Sequence, residues 1–348
     1  MNYILLLLLS LILFIANNFL LTYLEKIFYK INIVDQNFDK PQAFHSNPTP
    51  RIGGLFFLIN IILISLFYSF FSDYKFYSIL GLIPFFFIGF LDDIKILEEP
   101  RIKVIILNII IIFFLYFSNI DIINTGVVFL NSILSNYLIL KYLFLLLCFL
   151  TIINGSNFID GFNGLLLIHS IIILTSLYYI NYNNVIEDNL IIVIFCLLII
   201  LFLNFPFSKL FLGDSGAYSV GFLISYFVIQ TSNLNLNISP FFFCILLFYL
   251  FFEVLFSFFR KRLIKQNPLF PDKNHLHMLL FRTISKKINN NKKKSNYLTS
   301  LYINLFYLAI ISPSFFFLNN NYLCKLYFIF CIIIYIFFYI FLKKIEKN

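Results

Sequence analysis

Apolar runs long enough to cross a lipid bilayer recur along the whole chain. A transmembrane helix needs about 20 mostly apolar residues, with a range of roughly 17–25. Of the 348 residues, 61% are hydrophobic and 12% are charged, whereas soluble domains carry about 25% charged residues. We therefore predict an all-α, polytopic membrane protein. The apolar runs lie near residues 3–23, 54–72, 76–91, 102–118, 137–153, 163–180, 189–203, 216–232, 239–259, 297–317 and 324–342.

These runs predict ten or eleven membrane spans, since 76–91 and 189–203 are short. The first run lacks a basic start and a small-residue cleavage site, so it is predicted to be a retained span. If every run crosses the membrane, one side receives residues 24–53, 92–101, 154–162, 204–215, 260–296 and the tail from 343.

The basic residues indicate which side is cytoplasmic. All but three of the 25 Lys and Arg residues lie on that first side or at the adjoining helix ends, the exceptions being Lys75, Lys141 and Lys325. The positive-inside rule makes this side cytoplasmic, with the N-terminus outside and the C-terminus inside. The net charge of +9 is then a topology signal and does not predict nucleic-acid binding. The basic run at 286–294 is predicted to contact anionic membrane lipids.

Five polar clusters interrupt the apolar runs, and all five fall on the predicted cytoplasmic side. They read HSNPTPRIGG at 45–54, GFLDDIK at 89–95, NGSNFIDGFNGL at 154–165, NFPFSKLFLGDSG at 204–216 and PDKNHLH at 271–277. Loops at the same end of a helix bundle can converge, so we predict one polar site at the membrane edge.

The third cluster has the clearest pattern. Asn154, Asn157, Asp160 and Asn163 recur every third residue, which places them loosely on one side of a helical turn. The interleaved glycines, Gly161 among them, permit a close approach of the backbone to a polar ligand. The alternative is a capped turn between two helices.

Carboxylates dominate the predicted site. Adjacent helical side chains diverge by about 100°. One of Asp92 and Asp93 can therefore face a metal while the other accepts or donates a proton. Asp214 begins a span, where helix amides suit a phosphate and the carboxylate suits a hard cation. Together with Asp160 these residues predict phosphoryl transfer assisted by Mg²⁺, with Mn²⁺ as the alternative ion. A hydrated helix end and a simple N-cap are the structural alternatives.

Basic side chains complete the set. His275 and His277 are predicted to contact a diphosphate, because no further Cys or His cluster completes a zinc site. Arg51 is a candidate phosphate ligand beside His45, in a segment bent by two prolines. Glu253 lies within an apolar run, where a carboxylate is functional by default, and Arg260 is its predicted partner.

The five motifs, in this order, resemble the polyprenyl-phosphate N-acetylhexosamine-1-phosphate transferases, glycosyltransferase family 4. The resemblance covers about residues 35–280 of a single domain formed by residues 1–348, with terminal helices over 297–342. It implies transfer of a sugar 1-phosphate from a UDP-sugar to a polyprenyl phosphate with Mg²⁺, at the cytoplasmic face of a bacterial inner membrane. It also allows a homodimer.

The resemblance implies roles for individual residues. Asp214 matches the metal ligand of the family, and Asp92 and Asp93 match its paired catalytic aspartates, one of which deprotonates the lipid phosphate. Asp160 matches the acidic residue of its motif. The implied uridine and diphosphate contacts are Asn157, Gly161, Asn163, Asn204, Phe211, His275 and His277. Met278 stands where many relatives carry a further His.

The sequence leaves several alternatives open. The motifs favour a UDP-N-acetylhexosamine donor and the start of an O-antigen or lipopolysaccharide type of envelope glycan. The donor of the peptidoglycan branch, UDP-MurNAc-pentapeptide, ranks second. A transporter or lipid flippase is suggested by the many spans, but the polar groups gather at one face. A scaffold without activity is disfavoured by the presence of all four aspartates.

Overall fold

The computed structural model describes residues 3–30, 33–35, 48–71, 78–97, 99–267, 273–288 and 291–347. These residues are almost entirely α-helical, which confirms the predicted fold class. In the described ranges one short antiparallel ladder pairs β1 (Val34–Asp35) with β2 (Thr49–Pro50).

The helices of the described segments follow one another with short connections. They are α1 Tyr3–Tyr23, α2 Glu25–Lys30, α3 Gly53–Phe71, α4 Ser78–Asp93, α5 Pro100–Ser118, α6 Val128–Asn136, α7 Leu138–Ile159, α8 Leu165–Ile180, α9 Glu187–Asn204, α10 Gly213–Leu234, α11 Pro240–Leu246, α12 Phe248–Leu263, α13 Leu276–Lys287, α14 Lys292–Ile311 and α15 Asn321–Lys347, with a 3-10 helix over Ser312–Phe317.

Each apolar run coincides with a helical segment. Among the described residues, seven helical segments are long and apolar enough to cross a membrane: Tyr3–Tyr23, Gly53–Phe70, Pro100–Ser118, Leu138–Ile159, Glu187–Asn204, Lys292–Phe317 and Asn321–Glu346. The run at 239–259 forms α11 and α12, which bend by 74° at their junction and would make an eighth. The predicted total of ten or eleven spans and the predicted orientation stay predictions.

Helix α10 lies at the centre of the bundle. It packs against α3, α4, α7 and α8, and most of its residues are buried. It is long but not apolar enough to count among the seven spans, because small and polar residues such as Ser215, Gly216, Ser219 and Gly221 occupy its packed surface. These small side chains bring the neighbouring backbones close to the start of α10.

Gly89 in α4 shows how close this approach is. A methyl group at Gly89 would overlap the backbone of Asp214 and Ser215. We expect Gly89→Ala to destabilise the protein by about 1–3 kcal/mol, the usual cost of overpacking. Thermal unfolding in detergent measures this loss. Gly161→Ala is the matched control, because a methyl group there meets no atom within 4 Å. Equal unfolding temperatures for the two variants would contradict the close packing.

Candidate active site

The ends of several helices bring the predicted carboxylates together. Asp92 and Asp93 end α4, Asp214 lies in the first turn of α10, and Asp160 directly follows α7. Asp92 lies close enough to Asp214 for the two side chains to interact, and Asp93 contacts the start of α10. Asp160 lies beside the backbone of Gly213. The predicted convergence of these motifs is therefore what the structure shows.

Backbone hydrogen bonds also join the segment around Arg51 to the residues that lead into α10. Gly53 N–H donates to the carbonyl of Phe211 over 2.9 Å, and Gly54 N–H donates to that of Leu212 over 2.8 Å. Phe211 N–H in turn donates to the carbonyl of Pro50 over 2.9 Å. Phe211, predicted to line the uridine pocket, is thus half-buried at this junction.

Asp93 caps α10. Its Oδ1 accepts from Asp214 N–H over 2.9 Å, and its Oδ2 accepts from Ser215 N–H over 3.0 Å and from Ser215 Oγ over 2.6 Å. The residue is only 2% exposed. Gly213, with φ of +78°, precedes this contact, and a Cβ there would lie 2.7 Å from the Asp93 carboxylate.

This capping corrects one prediction. The first amides of α10 were expected to face a phosphate, but those of Asp214 and Ser215 bind Asp93. The Asp93 carboxylate occupies the place at these amides where a phosphate was predicted. Asp93 therefore hydrogen-bonds the backbone of Asp214 and fixes the start of α10.

Asp92 lies in a different environment from Asp93. Its carboxylate forms an ion pair with Lys103 of α5 and lies near the side chain of Asp214. Lys103 was not among the predicted site residues. The sequence does single out Lys103, because it is the only charged residue in the apolar run at 102–118. A lone charge in such a run needs a partner, and Asp92 supplies it.

Two carboxylates that lie close together repel each other unless a proton or a cation compensates their charge. Mg²⁺ is commonly held by one or two carboxylates together with waters and substrate phosphates. Within the described ranges no three His, Cys, Asp or Glu side chains are grouped to hold a metal ion. The pair of Asp214 and Asp92 fits a cation that also takes oxygen ligands from a bound diphosphate. Mg²⁺ at Asp214 stays a prediction that these donors suit.

Asp160 and Arg51 flank the pair. Burial and the nearby Asp214 and Asp93 raise the pKa of Asp160 well above its ordinary value, although Arg51 opposes the shift. Arg51 donates to Asp35 from a terminal nitrogen over 2.5 Å and from Nε over 3.2 Å. Its guanidinium also interacts electrostatically with Asp214 and Asp93. Arg51 thus places positive charge beside the carboxylates, whereas His45 lies outside the described residues.

Two predicted substrate ligands instead hold loops together. Asn204 is 4% exposed, accepts from Gly164 N–H over 2.6 Å and donates to the carbonyl of Leu210 over 2.9 Å. Asn163 donates from its side chain to Ser208 Oγ, and it is also buried. These amide groups are engaged within the protein. Their predicted contact with uridine is untested, and the structure shows a bracing role for both.

Gly161 and Asn157 present a more open surface. A methyl group added to Gly161 would have no atom within 4 Å, so the space in front of this residue is free, as a site for a close ligand requires. Asn157 is half-buried and donates to Tyr218 OH over 3.3 Å. The open side of this cluster is therefore at Gly161, directly after Asp160.

The histidine motif packs against the same cluster. The ring of His275 meets that of Phe158 at a centroid distance of 5.3 Å, and it lies parallel to the ring of His277 at 5.4 Å. His277 is fully buried, and its Nδ1 hydrogen-bonds Tyr249 OH over 3.0 Å. Burial lowers the pKa of His277 to about 3, against the raising effect of Glu253. His277 is therefore neutral near pH 7 and does not supply the positive charge that the sequence allowed.

The partner of Glu253 differs from the one predicted. Glu253 binds His275 and Tyr335. Arg260 turns away and donates to the carbonyl of Asn274 and to Tyr339 OH. The prediction failed because Arg260 lies about two helical turns from Glu253, while α13 and α15 bring closer partners to the carboxylate.

The chain is similar in sequence to a known protein family and to individual proteins. A family model described as glycosyl transferase family 4 matches residues 76–232. An undecaprenyl-phosphate alpha-N-acetylglucosaminyl 1-phosphate transferase of Thermotoga maritima is 29% identical over 250 residues, which cover 71% of this chain and 74% of the relative.

Relatives from the peptidoglycan branch also match. A phospho-N-acetylmuramoyl-pentapeptide-transferase of Campylobacter jejuni is 29% identical over 64% of this chain and 72% of its own length. One of Dictyoglomus turgidum is 27% identical over 63% of this chain and 72% of its own length. The matched family region contains all the motifs that carry the clustered aspartates. With its five ordered motifs and its apolar helices, the chain is a multi-pass membrane protein that resembles glycosyl transferase family 4.

Proposed function

We propose that this protein transfers N-acetylhexosamine 1-phosphate from a UDP-sugar to a polyprenyl phosphate and releases UMP. The observation that carries the proposal is the meeting of Asp92, Asp93 and Asp214 at the junction of α4 and α10. This cluster suits a diphosphate with its cation, and the Thermotoga relative has an activity of this class. The proposed product is the first lipid intermediate of an envelope glycan of the O-antigen or lipopolysaccharide type.

The proposed reaction exchanges one phosphorus–oxygen bond for another. An oxygen of the polyprenyl phosphate forms a bond to the β-phosphorus of the UDP-sugar. The bond between that phosphorus and the oxygen bridging to the α-phosphate breaks, and UMP leaves with the electron pair. Mg²⁺ bound with Asp214 would supply charge neutralisation for the diphosphate. The protein contributes mainly by positioning both phosphates and stabilising their charge.

The hydrogen bonds assign the two adjacent aspartates different roles. The three hydrogen bonds that Asp93 accepts all come from the start of α10, so Asp93 is proposed to position Asp214. Asp92 is the better candidate to accept a proton from the lipid phosphate, with Lys103 beside it to balance charge. Asp160 and Arg51 complete the wall of the site.

The proposed location is the bacterial inner membrane, with the active site at the cytoplasmic face. The distribution of Lys and Arg residues supports this orientation. A UDP-sugar is a soluble, charged donor, and a polyprenyl phosphate carries its head group at the membrane surface. A site at helix ends, as Asp92, Asp160 and Asp214 form, suits both substrates.

A second donor is UDP-MurNAc-pentapeptide. The matches to the Campylobacter and Dictyoglomus relatives favour this candidate. The N-acetylhexosamine donor ranks first because the PTPRIGG and PDKNHLH motifs resemble the sugar-transferring branches.

Purified protein in detergent micelles with undecaprenyl phosphate should release UMP from one member of a panel of UDP-sugars that includes UDP-MurNAc-pentapeptide. We expect EDTA to stop the release and Mg²⁺, or to a lesser extent Mn²⁺, to restore it, because the clustered carboxylates need a cation to accept a diphosphate. UMP release is measured with and without the lipid acceptor. Release that needs neither the acceptor nor a divalent cation would contradict the proposed function.

A further inference from the structure

Glu253 lies directly behind the histidine motif. It is 1% exposed, and both of its oxygens are bound. Oε1 accepts from His275 Nδ1 over 2.8 Å and more distantly from Leu276 N–H over 3.4 Å. Oε2 accepts from Tyr335 OH over 2.6 Å. Burying a carboxylate is costly unless hydrogen bonds and opposite charge compensate for the lost hydration. His275 and Tyr335 supply that compensation for Glu253.

The contact decides which nitrogen of His275 is available. A ring that donates from Nδ1 to a carboxylate keeps Nε2 for another partner, and the carboxylate fixes the plane of the ring. His275 also packs on Phe158, two residues before Asp160. The ring thus binds Glu253 through Nδ1 and packs on Phe158, in the segment that leads to Asp160.

The C-terminal helix secures this geometry at several points. Tyr335 and Tyr339 of α15 bind Glu253 and Arg260, and Arg260 also holds the carbonyl of Asn274, the residue before His275. Further along, Arg282 of α13 forms an ion pair with Glu346 of α15. These contacts come from outside the region at 76–232 that matches the family model.

We propose that Glu253 is a positioning residue for His275, with Tyr335 holding its carboxylate in place. Glu253 keeps a proton on Nδ1 and stabilises the positive charge of the ring when Nε2 also carries a proton and donates a hydrogen bond to the diphosphate, in the way a buried carboxylate supports a catalytic histidine. The hydrogen bond from Nε2 stabilises the negative charge that develops on departing UMP. This inference rests on the proposed transferase function.

The test combines kinetics with a signature of the ring itself. In Glu253→Gln the side chain keeps its shape but loses its charge and one acceptor. We expect kcat for UMP release to fall about 10–100-fold while KM for the UDP-sugar changes less than about threefold. Tyr335→Phe should lower kcat less, in the same direction. Glu187→Gln at the opposite end of α9 from Asn204 is the matched control and should leave both constants unchanged.

Nitrogen-15 NMR of histidine-labelled protein gives the second measurement, which is practical because the chain has four His residues. The signals of His275, assigned by their loss in His275→Gln, should show a proton on Nδ1 in the wild type and a changed ring state in Glu253→Gln. An unchanged His275 spectrum, or unchanged kcat in a folded Glu253→Gln protein, would overturn the proposal. A wild type that releases no UMP would instead refute the transferase function.

Discussion

Asp214→Asn is expected to reduce sugar-phosphate transfer at least about 100-fold, because the proposed ligand of the cation that stabilises the developing negative charge is lost. The folded protein should keep or gain thermal stability. Asp214 lies close enough to Asp92, Asp93 and Asp160 to raise the pKa of each of these carboxyl groups. Removing its charge relieves repulsion inside the cluster. UMP release and thermal unfolding, measured on the same sample, check both expectations.

Asp121→Asn is the matched control for this experiment. Asp121 is exposed and pairs with Lys141, in the segment between α5 and α7. Its replacement should change neither UMP release nor the unfolding temperature by much, because exposed ion pairs contribute about 0–1 kcal/mol. An Asp214→Asn protein with full activity would remove Asp214 from the metal site that we propose.

Asp93→Asn is expected to have the opposite effect on stability. The Asp93 carboxylate receives three hydrogen bonds at the start of α10. An amide offers one oxygen and an NH₂ group, which would face donors, so at least one buried donor loses its acceptor. We expect a loss of about 2–4 kcal/mol, from the cost of a buried unsatisfied donor and of a hydrogen bond to a charged group. Transfer should fall as well, because Asp214 loses its fixed position.

The comparison of the two variants separates positioning from chemistry. Thermal unfolding in detergent should place Asp93→Asn below the wild type and Asp214→Asn at or above it. An Asp93→Asn protein that is as stable as the wild type but inactive would mean that Asp93 acts directly on substrate. Such a result would reverse the roles that we assign to Asp92 and Asp93.

The sequence predicted the helices well because the physical requirement is simple. Each apolar run had to form a helix to satisfy its backbone in lipid, and each coincides with a helical segment. Helix α13, at Leu276–Lys287, was missed because it is only 12 residues long and mixes apolar with basic residues. It carries His277 and packs between α14 and α15, where tertiary contacts rather than local hydropathy stabilise it.

The gathering of the carboxylates was also predictable, whereas their hydrogen bonds were not. Because the loops that carry Asp92, Asp93, Asp160 and Asp214 were predicted on the same side of the membrane, these residues were assigned to a single candidate site. That Asp93 caps α10 while Asp92 pairs with Lys103 depends on how α4 rotates against α10, which adjacent positions in a sequence do not encode. Asn163 and Asn204 show the same limit, because an amide that binds a ligand and one that braces two loops look alike in sequence.

The most direct test of sugar-phosphate transfer follows the β-phosphate of the donor. The protein is incubated in liposomes with undecaprenyl phosphate, Mg²⁺ and the active UDP-sugar carrying a radiolabel on its β-phosphate. We predict that the label moves into a lipid product that contains a diphosphate, in equal amount to unlabelled UMP, and that Asp214→Asn forms neither product. Label that stays in UDP would mean transfer of the sugar alone, and intact labelled donor inside the liposomes would mean transport; either result would contradict the central claim.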